Sequence, residues 1–165
     1  MSPLEYPDRH HLNAAAGWLE LGDLTEANRE LARLSETAGT HPEVLTLRWH
    51  LLADHGEWSD ALEIARLHLR AEPKSAEAWI HQSFALHELR RTDEALAELQ
   101  RVAEQFPEVG TIPYNLACYT CRLGRLDDAR HWLRRAIEVQ GKKETLAAAA
   151  DDPDLEALRR ELADL

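Results

Sequence analysis

Cysteine, glycine, proline and long apolar runs are all scarce in this sequence, and each scarcity excludes a class of protein. Two cysteines in 165 residues cannot build a disulfide framework. Seven glycines and seven prolines are few for a loop-rich or all-β protein. No stretch approaches the roughly 20 apolar residues of a membrane-spanning helix, and residues 1–7 lack the basic start and apolar run of a signal peptide. The sequence therefore predicts a protein of the cytoplasm.

Basic charge is scarce as well. The chain has 19 lysines and arginines against 30 acidic residues, which gives a formal net charge of −11. An acidic surface repels phosphate groups, so we expect neither nucleic acid nor an anionic membrane as a partner. Hydrophobic residues make up 44% of the chain, enough for a folded core, and good helix formers such as alanine, leucine, glutamate and arginine are abundant. This composition favours an all-α fold.

A period of 34 residues runs through the chain. Gly22, Gly56 and Gly124 fall in one register of this period, and Arg90 occupies its remaining position. A second register contains only alanine, each time after an acidic residue, at Ala27, Ala61, Ala95 and Ala129. The spacing predicts repeats of two amphipathic helices of roughly 14 residues joined by a tight turn. Glycine ends the first helix because it adopts positive φ at little cost, so Arg90 predicts a turn that is strained or of another type.

These repeats resemble those of tetratricopeptide-repeat (TPR) proteins. Residues 22–27 and 123–129 resemble the TPR turn signature, and Trp79 stands where such repeats usually have tryptophan. Residues 112–119 are similar to segments of small bacterial TPR proteins. The resemblance implies a right-handed α-solenoid, a single domain of about four repeats with a C-terminal capping helix. We expect the repeats and the cap at about 8–41, 42–75, 76–109, 110–141 and 142–165.

After the fourth repeat the pattern fades. Residues 142–150 can form a short helix, and Asp154 can cap a last helix over residues 155–164. That last helix would have one apolar stripe, formed by Leu155, Leu158 and Leu162. We expect this segment to cover the exposed core face of the fourth repeat.

The resemblance also implies an inner face, because the first helix of each TPR lines the concave side of the solenoid. Helical spacing selects the side chains that share this face. The predicted peptide-binding groove consists of Glu43, Thr46, His50, Asp54, Glu77, Ile80, His81, Phe84, His87, Glu88, Tyr114, Cys118, Cys121 and Arg122. An apolar centre at Ile80, Phe84 and Tyr114 among acidic side chains suits a protein segment with an apolar anchor and basic flanks. Alternatively, the aromatic side chains only cover neighbouring helices.

Two further groups of side chains could carry chemistry. Cys118 and Cys121 lie one turn apart on a helix, but a structural zinc site usually has four ligands and a second such pair. We therefore expect ordinary packing at both cysteines. His50, His81 and His87 could form a metal-binding or pH-sensing cluster on the inner face, but our prediction is the alternative, a scattered polar surface. The sequence predicts no metal site, no cofactor and no catalytic residues.

The sequence favours a non-enzymatic interaction module, an adaptor or scaffold that binds another protein in its groove. The first alternative is a secretion-type chaperone that shields an apolar segment of one dedicated client. A remote alternative is a thiol- or metal-dependent enzyme that would use Cys118. Self-association through the groove or the ends of the solenoid is a further expectation.

Overall fold

The computed structural model describes residues 3–162, in which helices follow one another along the chain. The α-helices are α1 (Asp8–Glu20), α2 (Leu24–Leu31), α3 (Pro42–Asp54), α4 (Trp58–Ala71), α5 (Ala76–Glu88), α6 (Thr92–Val102), α7 (Thr111–Arg122), α8 (Leu126–Gln140) and α9 (Lys142–Ala150). Short 3-10 helices occur at Ala38–Thr40, Ala103–Gln105 and Pro153–Leu158. Residues 3–162 contain no β-strand, which confirms the all-α prediction. Within the same range, no helix has both the length and the apolar character needed to cross a membrane.

The turns between the two helices of each pair share one left-handed conformation. φ is positive at Gly22 (75°), Gly56 (71°), Arg90 (62°) and Gly124 (74°). The residue after each of them donates its N–H to the carbonyl five residues earlier, at 2.8 to 2.9 Å, as in the Schellman motif. These positions confirm the turns predicted from the period. Arg90 forms the same turn as the glycines, so it is the residue that bears the strain of positive φ.

Local sequence also explains where helices begin and how closely they pack. Asp23 accepts a hydrogen bond from the N–H of Glu26 at 3.0 Å and caps α2. Pro42 occupies the start of α3, where a backbone N–H would have no acceptor within the helix, so its absence in proline costs little. The alanines of the second register, one in each second helix, have no exposed surface at Ala27, Ala61, Ala95 and Ala129. Small side chains therefore stand where helices approach each other closely.

Two compact units make up the chain, Met1–His81 and Gln82–Leu165. In the first unit α1 packs against α2, and α3 packs against α4. Its core is formed by Leu12, Ala15, Ala27, Leu31, Val44, Leu47 and Leu51. The assignment of the whole chain to a single domain with the four repeat boundaries given above stays a prediction.

In the second unit α7 packs against α6, α8 and the 3-10 helix Pro153–Leu158, and α8 packs against α9. The helix expected over residues 142–150 is present as α9. The last helix differs from the prediction because it is a 3-10 helix, and its N-cap is Asp152, which accepts the N–H of Asp154 at 2.9 Å. The expected apolar stripe is buried at Leu155, Leu158 and Leu162. Residues 163 and 164, the end of the helix predicted over 155–164, lie outside the described residues.

Candidate functional site

An open cavity of about 380 Å³ lies in the first unit. Leu12, Ala16 and Leu47 give it an apolar lining, and Thr46 contributes a hydroxyl group. Its acidic lining consists of Glu43, Glu72 and Glu77. We call this site the acidic cavity. It contains three residues of the predicted groove, namely Glu43, Thr46 and Glu77.

Hydrogen bonds hold two of the three carboxylates at the acidic cavity. Arg9 binds Glu43 through both terminal guanidinium nitrogens, with Nη2 2.8 Å from Oε1. This pairing lowers the pKa of the Glu43 carboxyl group. Thr46 donates its hydroxyl hydrogen to Oε2 of Glu77 at 2.7 Å. Because Arg9 neutralises Glu43, the carboxylates of Glu72 and Glu77 give the cavity its negative charge.

A cluster of imidazole rings lies in the same unit. The ring of His81 stacks on the indole of Trp49, with centroids 3.9 Å apart and planes 3° from parallel. The ring of His50 meets that of His81 edge to face at 5.1 Å. The ring of His68, which also lines the acidic cavity, lies 6.4 Å from that of His81. The structure thus brings together His50 and His81 and adds His68, which corrects the scattered arrangement predicted for the first two.

Sequence reasoning missed His68 because the predicted inner face used only the first helix of each pair, whereas His68 belongs to α4. The repeat register contained a signal. His68 stands one period after Leu34 and one period before Val102, so it places an imidazole at an apolar position. A buried polar group in such a register needs a partner or has a function.

His81 is 5% exposed, and His68 only 1%. Burial, together with the nearby His50 and His68, lowers the pKa of His81 to about 3, so its ring is neutral at physiological pH. Nδ1 of His81 and both ring nitrogens of His68 are buried and have no hydrogen-bond partner among residues 3–162. Leaving a buried polar atom without a partner is destabilising by about 1–3 kcal/mol. A carboxylate lies close to this cluster at the end of α4, where Oε2 of Glu72 is 3.6 Å from Nε2 of His68.

In the second unit, the predicted groove residues of α7 lie against residues 151–162, which we call the C-terminal segment. Tyr114 donates its hydroxyl hydrogen to Oδ2 of Asp152 at 2.8 Å, and the thiol of Cys118 donates to the same oxygen at 3.5 Å. Burial raises the pKa of Tyr114, of Cys118 and of Cys121. The thiols are therefore protonated at neutral pH, and a partner that binds this face of α7 must first displace the C-terminal segment.

Asp154 connects the C-terminal segment to two helices of the same unit. Its Oδ2 lies 2.9 Å from Nε2 of His87, and its Oδ1 lies 3.4 Å from Nε of Arg122. Nδ1 of His87 lies 3.0 Å from the hydroxyl oxygen of Thr92. The hydrogen bond from His87 lowers the pKa of Asp154. Two predicted groove residues, His87 and Arg122, thus contact a carboxylate of the chain itself, and sequence reasoning had assigned that carboxylate only a capping role.

The other predicted groove residues lie on α3, α5 and α7. Asp54 is exposed, and Ile80, Phe84 and Glu88 are partly buried. Ile80 belongs to the first unit, whereas Phe84 and Tyr114 belong to the second. A binding centre formed by these three side chains stays a prediction.

Solved structures resemble this chain over nearly its whole length. A crystal structure of MamA protein matches with a TM-score of 0.73 and 18% sequence identity, covering 95% of this chain and 86% of that one. The MamA 41-end structure from Desulfovibrio magneticus RS-1 matches with a TM-score of 0.73 and 17% identity, covering 98% and 94%. TTC0263, a thermophilic TPR protein in Thermus thermophilus, matches with a TM-score of 0.72 and 18% identity, covering 96% and 100%.

At these identities the likeness establishes the fold. No protein-family model matches the sequence, and no curated protein sequence matches it. The helix pairs, their common turn and the structural matches define an all-α fold of the TPR type, an α-solenoid. The fold expected from the 34-residue period is thereby confirmed.

Proposed function

We propose that this chain is a non-catalytic protein-interaction module and that the acidic cavity of its first unit is the binding site. The proposed partner segment carries a lysine or arginine next to an apolar side chain. One observation carries this proposal. A single cavity of about 380 Å³ combines apolar side chains with the carboxylates of Glu72 and Glu77, which no lysine or arginine of the described residues neutralises.

The lining of the cavity explains the choice of partner. Leu12, Ala16 and Leu47 can contact an apolar side chain or the methylene groups of a long basic one. Glu72 and Glu77 can then bind the charged end, and Thr46 holds the Glu77 carboxylate in place at 2.7 Å. An acidic ligand would meet like charges, which disfavours it.

The predicted partner class, location and self-association also belong to this proposal. We place the protein in the cytoplasm as part of the proposal, and its net charge of −11 supports a protein partner rather than nucleic acid or an anionic membrane. Self-association would require a second copy to present a basic and apolar segment to the cavity, so it is one case of the same binding mode.

The experiment that tests the proposal is fluorescence anisotropy with short labelled peptides containing one leucine flanked by lysines. Matched peptides have glutamates in place of the lysines. We expect saturable binding of the basic peptides only, weakened on the order of tenfold by Glu72→Lys combined with Glu77→Lys. The effect should shrink at high salt because Glu72 and Glu77 are exposed.

The matched control is Glu36→Lys combined with Glu108→Lys, which changes the net charge equally at exposed positions outside the cavity. If this control weakens binding as much as the cavity variant, the peptides respond to net charge alone and the proposal is wrong. Equal affinity for the acidic and basic peptides would overturn it as well.

A further inference from the structure

Two clusters of side chains in the described part of the chain place possible metal ligands close together. One consists of Cys118, Asp152 and Asp154, and the other of His50, Glu77 and His81. In the first cluster the donor atoms already have partners: Cys118 donates to Asp152, and Asp154 binds a histidine and an arginine. A neighbouring arginine also repels a cation. The first cluster is therefore satisfied by the chain itself.

The second cluster has the dimensions of a metal site. One donor atom from each of His50, Glu77 and His81 lies within 4.8 Å of the other two. In a tetrahedral zinc site with bonds of about 2.0–2.1 Å, donor atoms lie about 3.3 Å apart. His81 is fixed by its stacking on Trp49, whereas His50 and Glu77 are exposed. Rotamer changes of these two exposed side chains can therefore close the site around an ion.

An independent observation at the same place points to a ligand. His81 is only 5% exposed, yet its Nδ1 has no hydrogen-bond partner among residues 3–162. The ring of His68, at 1% exposure, lies 6.4 Å from that of His81, and its Nε2 is 3.6 Å from Oε2 of Glu72, beyond hydrogen-bond distance.

The surroundings of the cluster orient one of the ligands. Thr46 donates a hydrogen bond to Oε2 of Glu77 at 2.7 Å, which leaves the other carboxylate oxygen for an ion. Such contacts to the ligands typically change metal affinity about 10–100-fold. Two imidazoles and one carboxylate are a ligand set that suits Zn²⁺, and three protein ligands leave a fourth position open.

We propose that His50, His81 and Glu77 form a binding site for Zn²⁺ or a similar divalent transition-metal ion, with one coordination position open to water or to a carboxylate of a partner. The site does not depend on the peptide-binding role proposed above. Glu77 is common to both sites, so an ion bound there would compete with a basic side chain for this carboxylate.

The test is isothermal titration of the full chain with Zn²⁺ alone, after treatment with a chelator. We expect one equivalent to bind and the affinity to fall at least about tenfold in His50→Ala and in Glu77→Gln. Both changes are at exposed side chains, so the variants should fold, and Glu77→Gln keeps an acceptor for Thr46. Zn²⁺ should raise the melting temperature of the unchanged protein and not that of His50→Ala.

His131→Ala removes an exposed histidine of α8 and is the matched control, which should bind Zn²⁺ like the unchanged protein. Cys118→Ser tests the other cluster. The proposal is overturned if His50→Ala and Glu77→Gln bind Zn²⁺ as tightly as the unchanged chain, or if Cys118→Ser alone abolishes binding. Absence of stoichiometric binding to the unchanged chain would overturn it too.

Discussion

At the scale of single residues, Arg90 is the clearest departure from the repeat. It takes φ of 62° in a turn that the other three pairs build with glycine. A side chain at positive φ is unfavourable by roughly 1–2 kcal/mol, partly offset because glycine loses more entropy on folding. The sequence predicted either a strained turn or a turn of another type. The structure shows the first of these, because Arg90 forms the same turn as the glycines.

Arg90→Gly should therefore raise the free energy of unfolding by about 0.5–1 kcal/mol. Urea unfolding followed by circular dichroism would measure this, in enough salt to screen the lost charge. The converse control is Gly124→Ala, where φ is 74° and an added Cβ meets nothing within 4 Å. It should lower stability through backbone conformation alone. A lower urea midpoint for Arg90→Gly would contradict the prediction.

Asp154 gives a second prediction at this scale, because its carboxyl pKa is lowered by the hydrogen bond from His87 and then by the charges of His87, Arg122 and Arg90. A carboxyl group with a depressed folded pKa adds stability above its unfolded pKa of about 3.9. That stability is lost as the pH falls towards the folded pKa. The contribution of Asp154 should therefore be complete at neutral pH and disappear in acid.

Asp154→Asn should reduce the free energy of unfolding at pH 7 by about 2 kcal/mol. The difference from the unchanged protein should shrink as the pH falls below about 4. Urea unfolding at a series of pH values would show this, with Asp151→Asn as an exposed control in the same segment. A difference between the two proteins that stays constant down to low pH would show that the carboxylate charge is not involved.

At the scale of elements, the period predicted the helix pairs, and the sequence predicted the apolar stripe of the C-terminal segment but not its 3-10 conformation. The turns at Gly22, Gly56 and Gly124 follow from the conformation of one residue each, which is local information. The C-terminal segment instead takes its conformation from α7, through contacts such as that of Asp152 with Tyr114. These residues are 38 positions apart, so no local pattern in the sequence reports the contact.

Deleting residues 155–165 should destabilise the protein and expose the covered face of α7. The deletion removes the buried side chains of Leu155, Leu158 and Leu162, together on the order of 5 kcal/mol as an upper value. Thermal unfolding by circular dichroism should show a lower melting temperature, and size-exclusion chromatography should show association. Cys118, only 4% exposed in the intact chain, should react faster with a thiol reagent.

Glu156→Ala is the control for this deletion, because Glu156 is an exposed residue of the same segment. It should leave both the melting temperature and the thiol reactivity unchanged. If the shortened chain melts like the intact one and its cysteines react at the same slow rate, then the C-terminal segment does not cover α7 in solution.

At the scale of the whole molecule, the fold could be predicted from the sequence because the same helix-pair pattern recurs in the same register in every repeat. The candidate sites could be predicted only in part. Glu43, Thr46 and Glu77 were placed near one another by helix geometry, and the acidic cavity contains all three. His68 and Glu72 were missed because the predicted inner face used only the first helix of each pair, whereas these two residues lie at the end of α4, a second helix.

The position of the C-terminal segment on α7 has a consequence for any partner that uses this face. A segment tethered by a short link acts at an effective concentration on the order of millimolar. A free protein present at micromolar levels would have to bind α7 on the order of a thousandfold more tightly than the segment does to occupy the face half of the time. The C-terminal segment thus sets a minimum affinity for any protein that binds this face of α7. Weak, nonspecific competitors do not reach it.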